Sequence, residues 1–164
     1  MTLRTSLATL AAAALLTTPA LSAAPRPAQP HAISPCALLT PDQIKVVLGT
    51  PVLNGKPGTS GASPGSADCT WADAHGETRI YLQVKDATPD YHDFRNSMQA
   101  TGRLVPVTGL AEDAFYISAT GSSAALYFLK AHHVMLLTVD GVGFSKAQNE
   151  AAERGLATQV LPKL

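Results

Sequence analysis

The cleanest alternation of apolar and polar positions runs over Thr78–Lys85, with Ile80, Leu82 and Val84 on one side and Arg79, Tyr81, Gln83 and Lys85 on the other. A period of two predicts a half-buried strand, so one face of the sheet is expected to be wet here. Two later runs are apolar on both sides. In Ala124–Lys130, Leu126 and Phe128 oppose Ala125, Tyr127 and Leu129, and in His133–Val139, Val134 and Leu136 oppose Met135, Leu137 and Val139. These runs are too short for buried helices and predict central strands covered on both faces, reversing tightly at Lys130-Ala-His-His133. The stretch from Arg103 to Ser118 supplies the strand before them, across Gly121-Ser122-Ser123. Upstream, Ala67–Ala72 pairs with the alternating strand across Asp73-Ala-His-Gly76, and Thr50–Leu53 reads as an edge strand.

Helix signals fall between these runs. Thr40 as N-cap, Pro41 in the first turn, Gln43 closing a capping box, Leu39 and Ile44 as a staple and Gly49 just beyond the end predict a helix over 41–48. A second helix over 89–101 starts at Thr88-Pro-Asp, carries Tyr91, Phe94 and Met98 on one face, and stops at Gly102. A third, over 146–161, opens on a Ser145/Gln148 capping box and has Ala147, Ala151, Ala152, Leu156, Val160 and Leu161 as its apolar positions. Strands and helices do not alternate regularly, so the expected class is α+β: a mainly antiparallel sheet of five to seven strands with three helices. The order helix, weak strand, hairpin occurs from Thr40 and again from Thr88, which suggests a pseudo-repeat.

The N-terminus sets the compartment. Arg4, the apolar run Leu7–Leu16 and the small-residue stretch Pro19–Ala23 form a secretory signal, with cleavage expected after Ser22. The run falls short of the ~20 residues a membrane span needs. Residues 23–35, with Pro25, Pro27, Pro30 and Pro35, read as an extended tether, and 36–164 as one domain. Twelve basic and twelve acidic residues cancel without like-charge blocks, which disfavours nucleic acid as a partner. In an oxidising compartment the two cysteines, Cys36 and Cys69, are expected to form one disulfide.

Candidate chemistry is sparse. Gly61-Ala-Ser63-Pro-Gly65 has the letters of a nucleophile elbow without the strand and helix that motif needs. His132 and His133 are adjacent, so in an extended segment their rings diverge, and no metal or cofactor is expected. Trp71 reads as packing against the disulfide, with ligand stacking as its alternative role. The Gly-, Ser- and Pro-rich loop Asn54–Ser66, carrying Lys56, has the build of a recognition loop. Arg79, Tyr81 and Lys85 on the wet face could extend its surface, and His132 and His133 mark a second candidate surface.

The pattern Cys36-Ala-Leu-Leu-Thr-Pro, Cys69-Thr-Trp71 and Val107-Thr-Gly-Leu-Ala-Glu-Asp-Ala-Phe115, followed by two apolar strands and an Ala-rich helix, resembles the secreted and lipoprotein domains of unknown function common in actinobacteria. The resemblance implies an exported, disulfide-pinned α+β domain without an established activity; no cysteine stands at the signal junction here to carry a lipid. The function expected is a non-catalytic binding or interaction domain, periplasmic or secreted, for a protein or small-molecule partner in the envelope. Two alternatives stay open: a small enzyme whose site gathers His132, Asp140 and Asp113 from distant segments, and a structural envelope protein associating through its sheet edge.

Overall fold

A computed structural model describes residues 33–58, 65–87, 90–118 and 124–164. The expected signal peptide, most of the tether, the Thr88-Pro89 start of the second helix and the turn at 121–123 lie outside these residues. The fold is α+β: α1 (Pro35–Leu38), α2 (Pro41–Leu48), β1 (Lys56–Pro57), β2 (Ser66–Ala72), β3 (Thr78–Asp86), α3 (Asp90–Ala100), β4 (Leu104–Pro106), β5 (Asp113–Ser118), β6 (Ala124–Lys130), β7 (His133–Gly141) and α4 (Lys146–Val160), closed by a 3-10 turn at Leu161–Lys163. All seven strands form one antiparallel sheet in the order β1-β2-β3-β7-β6-β5-β4.

Local chemistry fixes α2 and α4. The Thr40 hydroxyl accepts from Gln43 N, the Gln43 side chain accepts from Thr40 N, and Gly49 ends the helix at φ 73°. Ser145 and Gln148 repeat the reciprocal cap at α4. Two expectations shift. Thr50–Leu53 is not a strand; the edge is Lys56–Pro57, and Leu53 contributes a single bond from its N–H to Ala72 O (2.8 Å). Pro51 has no N–H to give a ladder. The tether also ends earlier than expected, because Ile33 packs on the core and Pro35 is buried in α1.

One sheet face holds the main core. Cys69, Trp71, Ile80, Leu82, Leu126, Phe128, Met135, Leu137 and Val139 pack under α2 and α4. The helices meet closely at Gly155, where a Cβ would lie 2.7 Å from Val47 Cγ1. The disulfide Cys36–Cys69 (Cα–Cα 5.2 Å) ties α1 to β2. The buried face of α4 departs from the apolar positions expected: Ala147 and Ala151 are exposed, while Asn149 and Glu153 are buried beside Ala152, Leu156, Ala157 and Val160.

The opposite face is covered over only part of its width. Tyr91, Phe94 and Met98 of α3 close over Phe115, Ile117, Tyr127 and Leu129. A half-turn about β7 carries β1-β2-β3 onto β4-β5-β6 with strand directions kept and faces exchanged, which is why α2 and α3 lie on opposite faces. The helix α4 packs on β7 and β6. Its image under the half-turn would cover β7 and β3 on the open face, where no described element lies. Val134 and Leu136, expected to be covered on both sides of their strand, are consequently only half-buried.

Candidate functional site

The edge of α3 makes a step on the open face, and a groove of about 290 Å³ runs along it. Register sets its floor. Tyr127, Leu136 and Gln83 stand side by side on β6, β7 and β3, and Val134 and Lys85 form the next row. The wall is Tyr91 and Phe94 of α3. The mouth carries Lys85, Asp86 and Asp90, all exposed.

The wall is held rigidly. The Tyr91 hydroxyl donates to Asp113 Oδ2 (2.9 Å), and Arg95 Nε lies 2.8 Å from the same oxygen with its guanidinium 5.9 Å from the Phe115 ring centre. Tyr127 stacks on Phe115 (5.5 Å, 7°) and meets Phe94 at 5.3 Å and 51°. Burial raises the phenol pKa of Tyr127, and burial with the Asp113 hydrogen bond raises that of Tyr91, so both stay neutral and their rings form an apolar corner.

Three polar groups of the groove, the Gln83 amide, the Lys85 ammonium and the Asp90 carboxylate, make no hydrogen bond or ion pair with any described residue. Asp86 differs: its Oδ1 lies 3.4 Å from His133 Nδ1. Across this face the floor grades from aromatic and aliphatic under α3 to polar toward β1, through Gln83, Asp68, Tyr81 and Thr70. Burial, and then the charge of Asp68, raises the Tyr81 phenol pKa.

The residues singled out from sequence divide. Lys85 lines the groove, and Tyr81, Arg79 and Lys56 share its sheet face, with Lys56 opposite Thr70 on the far edge. Trp71 does not belong to a binding surface: it is 1% exposed beside Cys69, and a Cβ on Gly55 would lie 2.6 Å from both the Trp71 indole nitrogen and Cys69 Sγ. His132 is exposed in the β6–β7 turn, where it and Ala131 have φ of 67° and 49°, while His133 is half-buried against Asp86. The middle of the proposed recognition loop, 59–64, lies outside the described residues.

Asp113, His132 and Asp140 are not brought together. Asp113 is engaged by Tyr91 and Arg95, while His132 precedes the first residue of β7 and Asp140 is its penultimate one, about 26 Å apart at strand rise. Among the described residues no three His, Cys, Asp or Glu side chains converge as a metal set, and no helix is long and apolar enough to cross a membrane. Sequence reasoning missed Gln83, Asp90, Phe94 and Leu136 as one site. The available signal was a mismatch between paired strands: Val134 and Leu136, apolar, stand opposite Lys85 and Gln83, polar, which marks where the cover stops. Known protein families, curated proteins and solved structures were compared with the chain, and none matches it.

Proposed function

We propose that this is an exported, non-catalytic binding domain of the cell envelope or extracellular space that takes its ligand on the open face of the sheet, in the groove beside α3. The observation that carries the reading is an apolar corner, held by the Tyr91–Asp113 bond and ring stacking, bordered by polar groups without partners among the described residues. Binding sites combine these features, because the apolar part supplies affinity and a few polar groups supply orientation. The signal-like N-terminus and the disulfide support export. Self-association through sheet edges is disfavoured, since the edge strands are short and contain Pro57 and Pro106.

The test compares the mature domain with Leu136→Trp, which fills the groove from its floor. Both are used for affinity capture from envelope extract, and both are purified from the exported compartment for native mass spectrometry. The expected outcome is a bound component on the wild-type domain that the variant lacks at equal thermal stability. Equal recovery by both proteins would remove the groove from the binding surface.

A further inference from the structure

We propose that the groove takes a small zwitterion with a large apolar side chain, of amino-acid or dipeptide size. Its carboxylate would face Lys85, its ammonium Asp90, and its apolar body Leu136, Val134 and Phe94. This rests on the open face being the ligand surface and adds the class of ligand.

The argument is one of complementarity. Lys85 and Asp90 border the same cavity, yet neither approaches an opposite charge within 4.0 Å, so they do not neutralise each other. Arg95, the cation beside the same aromatic cluster, is by contrast engaged by Asp113. A ligand with only a positive charge would meet Lys85 as a like charge, and one with only a negative charge would meet Asp86 and Asp90. A molecule carrying both signs satisfies the mouth, and the Gln83 amide can donate to its carboxylate or accept from its ammonium. The Phe94–Tyr127 corner accommodates a flat or branched side chain. The volume, about 290 Å³, is at the small end of ligand cavities and matches a ligand of amino-acid or dipeptide size.

The experiment is calorimetric titration of the mature, disulfide-intact domain with L-phenylalanine as probe. It is compared with phenethylamine, which lacks the carboxylate, 3-phenylpropionate, which lacks the ammonium, and glycine, which lacks the apolar body. Phenylalanine is expected to bind, each one-charge analogue about tenfold or more weakly, and glycine undetectably. Lys85→Met should weaken phenylalanine and 3-phenylpropionate but spare phenethylamine, and Asp90→Asn should weaken phenylalanine and phenethylamine but spare 3-phenylpropionate. Loss of folding cannot produce that crossed pattern. The ligand class is overturned if phenylalanine, leucine and a Phe-Phe dipeptide all fail to bind at millimolar concentration, if the one-charge analogues bind as well as phenylalanine, or if neither variant shows its selective effect. If these probes fail while Leu136→Trp still loses an envelope component, the ligand class alone is wrong; if Leu136→Trp also loses nothing, the open face is not the binding surface.

Discussion

Glu153 is a charged residue type at 0% exposure in a core of aliphatic side chains. Its position has a backbone cause. β6 and β7 pair as far as Leu126↔Leu137 and then part, and Val139 N, left without a strand partner there, donates to Glu153 Oε1 at 3.0 Å. Oε2 has no hydrogen-bond partner among the described residues. Burial, reinforced by the charges of Asp140 and Glu150 and opposed by the Val139 bond, pushes the carboxyl up to about 8. Unfolded glutamate titrates near ~4.3. Between these values the folded protein holds a proton that the unfolded chain has released, so this contribution to stability is complete below about 4.3 and is lost as pH rises toward 8. The total is on the order of 5 kcal/mol. Glu153→Gln keeps the acceptor for Val139 N and abolishes the titration. The difference in melting temperature between variant and wild type should therefore widen from pH 5 to pH 8 in the variant's favour; a constant difference would mean that Glu153 is not protonated in the fold. No sequence pattern marks this residue, because a glutamate in a capped, mostly polar helix is expected to face water.

At the scale of elements, legibility follows the range of the interaction that decides the outcome. The helices α2 and α4 were readable to within a residue, since their capping boxes lie within four positions of sequence. The β2–β3 and β6–β7 reversals were readable for the same reason; at the first, Asp73 accepts from the N–H groups of His75, Glu77 and Thr78. Which face α3 covers, and how much of it, was not readable, because α3 is fixed by a contact across 22 positions, the bond from Tyr91 to Asp113. Removing that anchor should loosen the element selectively. Asp113→Ala takes the partner from both the Tyr91 hydroxyl and the Arg95 guanidinium, and the expected loss is about 1–3 kcal/mol, tempered by the partial exposure of the ion pair. Amide exchange should accelerate in Asp90–Ala100 well before it does in Lys146–Val160. Uniform acceleration in both helices would show that α3 is not held chiefly through this anchor. The groove loses its wall in this variant, so any ligand held there should weaken with it.

Over the whole molecule, the main core and the proposed recognition surface lie on opposite faces of one sheet. The half-turn about β7 gives each terminal trio of strands its own helix on its own face, and α4 breaks the symmetry by doubling the cover on one side. That side carries the disulfide, most of the largest buried side chains and the raised-pKa glutamate, Phe115 being the exception under α3; the other keeps an unfilled strip over β7 and β3. The bridge spans 33 positions and, in the chain-entropy account, contributes about 3–4 kcal/mol by restricting the unfolded chain. Cys69 is fully buried against Trp71 and Gly55, so its sulfur is also a packing atom. Replacing both cysteines by alanine should lower the melting temperature by roughly 10 °C or more. Affinity in the groove, measured well below that melting point, should stay within about twofold of wild type, because no bridge atom lines it. Titrating the double variant with whichever probe binds the wild-type domain checks the separation: a large loss of affinity with the sheet still folded would mean that the core face positions the open face, and that the two sides act as one unit.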